Sequence, residues 1–169
     1  LDEVPELDTT TYVPRAMTAL LDAIGRTINE VDQKLQGMLE AERPGKIMVA
    51  IFTDGLENAS REFSLDRINQ LIREKRENHG WEFLFLAANQ DAIATARRMG
   101  INPNMSGSVQ FSKAGVHSSS SGMSRKIHAM RHFSVSACKS PDFDAPMQDI
   151  ALEEEEIVKK KRKKDDQDS

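Results

Sequence analysis

Few side chains in this sequence are placed to do chemistry, and the best placed is Asp54. It follows an unbroken apolar run, residues 47–52, and Thr53, and it is followed by Gly55. Such a run, closed by a turn signal, predicts a strand covered on both faces, as in a parallel sheet. Asp54 then stands at the carboxyl end of that strand, the edge where open α/β sheets hold their ligands. Gly55 is expected to turn the backbone there at positive φ, which a residue without Cβ tolerates. The loop beyond carries Glu57, Asn58, Ser60 and Glu62, and Thr18 opens the preceding predicted helix as its N-cap.

The remaining reactive groups form no constellation. His128 and His132 share a helix face at a metal-binding spacing, yet no Glu follows the first and no third ligand is evident, so they read as surface histidines. Cys138 is the single cysteine, with no His and Asn or Asp partner, and fits a reducing compartment without disulfides. Ser118, Ser119, Ser120, Ser121 and Ser124 read as a flexible loop. With no nucleophile–base pair in sight, the chain is read as a non-enzyme.

The elements that must position Asp54 come from periodicity. Leu20, Leu21, Ile24, Ile28, Val31, Leu35, Met38 and Leu39 make one helical stripe over residues 18–40, ended by Pro44 and Gly45. Ser64 is the expected N-cap of a helix over 65–79, buried through Leu65, Ile68, Leu71 and Ile72 and closed by Gly80. A second strand over 81–87 completes a βαβ unit, which implies parallel pairing. Asn89, Gln90 and Asp91 end that strand. A short helix over 91–99, a third strand over 108–111 and a helix over 123–133 follow.

Composition bounds the rest. The chain of 169 residues suits one domain, and 38% hydrophobic residues is below the roughly 45–50% of a typical globular domain. A net charge of −4 carries no nucleic-acid signature for the whole molecule. No apolar run approaches the roughly 20 residues of a membrane span. From residue 136 the chain reads as a disordered charged tail, because blocks of like charge without apolar partners cannot offset the entropy of ordering. The run Lys159, Lys160, Lys161, Arg162, Lys163 and Lys164 lies within it, a contact for nucleic acid or an acidic partner if it is more than a solvated tail.

The segment Tyr12-Val13-Pro14-Arg15-Ala16-Met17-Thr18-Ala19-Leu20, followed by the apolar strand with Thr53-Asp54-Gly55, resembles the second half of a von Willebrand factor A-type (vWA) domain. The resemblance covers about residues 10–133 and implies an α/β, three-layer Rossmann-like fold with a mostly parallel sheet, incomplete at its N-terminus. It divides the chain into a partial vWA-like domain, 1–135, and the tail, 136–169. It implies that Thr18 and Asp54 are metal ligands for Mg²⁺, with Mn²⁺ or Ca²⁺ as alternatives. Gly55, Glu57 and Asn58 would border a surface for a partner protein's acidic group. A hydroxyl and a carboxylate suit a hard cation that takes oxygen ligands. The Asp-x-Ser-x-Ser loop of that family has no counterpart here, since residues 8–11 have no apolar strand before them. The chain starts at Leu1, so the missing strand is expected upstream of a truncation point. A strand-end Asp also resembles that of phosphoryl-accepting receiver domains, but Asn89 and Gln90 occupy the place where those need Lys. The implied protein is a cytoplasmic, non-enzymatic binding module; the competing role is a scaffold acting through the basic tail.

Overall fold

The computed structural model describes residues 17–88, 92–110, 112–132 and 141–165. Cys138, Asn89, Gln90, Asp91 and residues 8–11 lie outside them, as do the side chains of His132 and of residues 161–165. The elements run α1 (Leu20–Gln36), β1 (Met48–Thr53), α2 (Leu65–His79), β2 (Glu82–Ala87), α3 (Ala92–Arg98), β3 (Ser106–Ser108), α4 (Lys113–His132), α5 (Pro141–Asp144) and α6 (Met147–Asp165). Short 3₁₀ turns at Glu40–Glu42 and Pro103–Met105 fill two of the connections. No described helix is long and apolar enough to cross a membrane.

The strands form a three-stranded parallel sheet in the order β1-β2-β3. Met48 pairs with Glu82 and Thr53 with Ala87, so Asp54 leaves the carboxyl edge of the sheet as expected. The strand–helix–strand unit forms where local signals agree. The Ser64 hydroxyl accepts from the Arg67 amide at 3.2 Å, and Gly80 ends α2 at φ 64°, a conformation that disfavours side chains with a Cβ. β2 is the centre of the core: Phe83, Leu84, Phe85, Leu86 and Ala87 are all buried, with Ile28, Ile68, Ile72 and Trp81 around them. Trp81 stacks on Phe83, and the buried Lys75 reaches its ring while pairing with Asp32 at 2.9 Å.

Five expectations need correction. β1 is covered on one face only: Val49, Ile51 and Thr53 are buried while Ala50 and Phe52 are exposed, so the strand does not lie between two covering layers. α1 ends at Gln36 instead of continuing to residue 40, and Gly37 is its C-cap. β3 occupies Ser106–Ser108, two residues ahead of the expected start. The serines at 118–121 do not form a loop; they lie inside α4. Ser118 and Ser119 are buried, and the Ser118 hydroxyl donates to the Gly115 carbonyl at 3.0 Å, so its polarity is satisfied on its own helix.

The fifth correction follows from that packing surface. Within the expected tail, α5 and α6 are helices, and α6 packs against α4 and β3 through Met147, Ile150 and Ala151. Gly122 lets it approach closely, since a Cβ there would stand 2.9 Å from Met147 Cε. Arg125 of α4 fastens the pair by reaching Asp142, Glu153 and Glu154. Lys126, fully buried, donates from Nζ to the carbonyls of Phe143 (2.7 Å) and Ala145, tying the α5–α6 connection to α4. Burial lowers the Lys126 ammonium to about 8, against the opposing pull of Asp144, Asp142 and Glu82. A neutral amine keeps enough N–H donors for both carbonyls.

Truncating Ile150 to Ala should cost about 2–4 kcal/mol in urea unfolding, the cavity penalty of a buried isoleucine. A disordered tail would give no change. Because the folded state holds Lys126 below its ordinary value of 10.5, the unfolded chain binds more protons between about pH 8 and 10.5. The Lys126 contribution to stability should therefore rise with pH across that window, and Lys126→Met should remove that rise while lowering stability overall.

Candidate functional site

A helix starts with amide groups that have no partner within it. At the N-cap position of α1 stands Ala19, whose side chain can accept nothing. The acceptors arrive from the loop over residues 54–63, which leaves β1. Asn58 Oδ1 accepts from the Thr18 amide at 2.8 Å, Glu57 Oε2 from the Leu21 amide at 2.9 Å, and Ser60 Oγ from the Asp22 amide at 3.1 Å. The Asn58 amide donates back to the Thr18 carbonyl at 3.1 Å. Thr18, expected as the N-cap, thus precedes the cap, and loop side chains do the capping.

The loop is held in return. Asp22, buried in the first turn of α1, accepts from the amides of Arg61, Glu62 and Phe63, each at 2.9 Å. Its pKa lies below the ordinary carboxylate value: the Arg61 amide is the largest cause, burial opposes it, and the Phe63 and Glu62 amides and the Arg26 charge add to the lowering. For Glu57 the largest effect is burial, which resists ionisation. The Ser60, Leu21 and Ala59 amides and the Ser60 hydroxyl together outweigh it, so this pKa is lowered as well. The Phe63 ring packs against Gly25, where a Cβ would stand 2.5 Å from Cδ1. Arg26 and Glu62 pair on the outside, in water, where the pair adds little.

This clamp brings Thr18 to the end of β1. The Thr18 hydroxyl lies against Gly55, so closely that a Cβ on residue 55 would overlap it. Gly55 is needed for that approach and not for positive φ, which among the described glycines occurs only at Gly80 and Gly100. Asp54 is exposed beside it, Thr18 and Gly55 are half-buried, and the Thr53 hydroxyl donates to the Gly55 carbonyl at 3.1 Å. A cavity of about 360 Å³ opens at the same edge, with Thr53, Gly55 and Glu57 in its lining. Thr18 and Gly55 are therefore in contact, with the exposed Asp54 preceding Gly55 in the chain. Glu57 and Asn58 border them, with Glu57 spent on four donors and Asn58 Oδ1 on one.

No group of three or more His, Cys, Asp or Glu side chains among the described residues is arranged to hold a metal ion. The edge offers one hydroxyl and one carboxylate, an oxygen-only donor set of the kind Mg²⁺ or Ca²⁺ takes, and two ligands out of about six. Lys159 and Lys160 stand on α6 and pair with Glu155 (2.9 Å) and Glu156 (3.9 Å) of their own helix. Lys161, Arg162, Lys163 and Lys164 continue that helix, their side chains outside the described residues.

The sequence signals missed Asp22 as the anchor of the loop, and with it Leu56 and Arg98 at the cavity. An acid in the first turn of a helix signals only the helix dipole, and nothing local names three amides some forty residues away. Comparison with family models, with characterised proteins and with solved structures returns no match for this chain.

Asp22 and Glu57 are held below their ordinary values of 3.8 and 4.5, so the stability they contribute is complete above those values and is lost as pH falls through the lower folded-state ones. Thermal unfolding from pH 6 downward should show a steeper acid loss of Tm in the native chain than in Asp22→Asn. Equal slopes would mean that the Asp22 carboxylate does not hold the loop.

Proposed function

We propose that this chain is a protein-binding module of vWA type, in which a divalent cation at the carboxyl edge of the sheet engages an acidic group of a partner. The observation that carries this is the contact of the Thr18 hydroxyl with Gly55, next to Asp54. The loop that follows Asp54 is tied to the start of α1 beside Thr18, the Thr18 amide donating to Asn58 and three loop amides donating to Asp22. The parallel order β1-β2-β3 supports the three-layer, Rossmann-like architecture that goes with this reading.

In this role Thr18 and Asp54 would hold Mg²⁺ from one side. The ion supplies a positive, oxygen-seeking centre that a partner's carboxylate can complete. The chain's own residues do the rest. Glu57, Asn58 and Asp22 fix the loop, Gly55 lets Thr18 approach, and no side chain acts as nucleophile or base. The single cysteine accords with a cytoplasmic setting. The rival role, a nucleic-acid or acidic-partner scaffold working through the basic tail, is weakened by the pairing of Lys159 and Lys160 with acids one turn away.

Mn²⁺, used as a paramagnetic stand-in for Mg²⁺, should bind the full chain in an electron-paramagnetic-resonance titration and be displaced by Mg²⁺. Asp54→Ala should abolish that binding and Thr18→Ala should weaken it by about tenfold or more, the cost of losing one of few ligands. Binding that is indifferent to Asp54 would overturn the proposal.

A further inference from the structure

We propose that the cavity at this edge receives a large apolar side chain of the partner polypeptide, while a neighbouring carboxylate of the same partner pairs with Arg98. This rests on the reading of the edge as a protein contact and names the partner's chemistry. The cavity walls are core residues: Leu21 of α1, Leu65 of α2, Phe85 of β2 and Met99 just after α3. Phe85 and Met99 are 1% and 0% exposed, so packing behind them holds the walls apart. The volume of about 360 Å³ falls within the range of small ligand pockets, and it accommodates a leucine or phenyl side chain.

Two residues that line the cavity are exposed. Leu56 is 62% exposed on the loop, a large apolar surface beside an apolar cavity, the arrangement expected at a contact. Arg98 lines the same cavity from the end of α3. Its carbonyl accepts from Asn69 Nδ2 at 2.9 Å, which anchors its backbone. Its guanidinium, which is exposed, makes no hydrogen bond or ion pair with any described residue. An unpaired planar cation beside an apolar pocket selects an acid next to an apolar group, because its fork of donors matches a carboxylate. The apolar side chain supplies affinity by leaving water, and the acid supplies orientation and discrimination.

The test is a ¹⁵N-resolved titration of the full chain with acetylated Leu-Asp amide, in chelator so that no metal contributes. The peptide should shift the amides of Leu21, Leu56 and Met99. Acetylated Ala-Asp amide should bind about tenfold more weakly, and Leu-Asn about fivefold more weakly. Arg98→Gln should make Leu-Asp and Leu-Asn equal while leaving the preference for Leu over Ala intact. Equal binding of the Leu and Ala peptides would overturn the inference. So would a free acid such as hexanoate binding more tightly than the dipeptide, or peptide-free shifts that grow with protein concentration, which would place a small molecule or a second copy there. Any of these would leave an Asp54-dependent response to Mn²⁺ standing, so the two proposals fail separately.

Discussion

The start of α1 and the loop that leaves β1 each leave backbone amides without a partner of their own, and in this chain each satisfies the other. Ala19 cannot cap the helix, so Glu57, Asn58 and Ser60 cap it from the loop. The loop has no regular structure to absorb its amides, so Asp22 takes three of them. Unmade bonds of this kind cost about 1–3 kcal/mol each when buried, so the two segments are stable mainly as a pair. The position of Thr18 against Gly55, the exposure of Asp54 and the open mouth of the cavity all follow from that exchange. A looser loop would place none of them.

On the other side of the sheet the governing constraint is closeness. β3 is only three residues long, and its Gly107 lies at van der Waals distance from Met147 of α6. Gly122 and the buried serines of α4 present a similarly low surface to α6. Bulk on either helix would push α6 away and uncover β3. Lys126 and Arg125 then fasten the C-terminal helices by polar contacts, one to backbone carbonyls and the other to carboxylates. A buried lysine is tolerated there because its amine has acceptors on the Phe143 and Ala145 carbonyls, which replace the water it has lost.

Much of the middle of the chain could be read without the structure. Residues 47–87 carry period, cap and turn signals that agree, and each signal acts over a few residues: Ser64 caps the helix it precedes, and Gly80 ends the same helix. The ends were harder. Met147, Ile150 and Ala151 stand three and four apart, a helical pattern, but Pro146 and the charge blocks around them hide it. Serine has weak helix propensity, so the stretch at 118–121 resembles a loop until α6 is there to cover it.

The sequence by itself therefore determined the α/β class, the parallel strand–helix–strand unit, and the placement of Asp54 at the carboxyl end of a strand. These depend on apolar spacing and on caps, which are local. Tertiary structure decided what stands next to Asp54. It brought Thr18 to Gly55, turned Asp22 and Glu57 into staples, set Arg98 at the cavity, and folded the charged C-terminal segment into a packed helix. Each of those depends on a partner many residues away, and a hydrogen bond or a packed surface of that kind leaves no periodic mark on either segment alone.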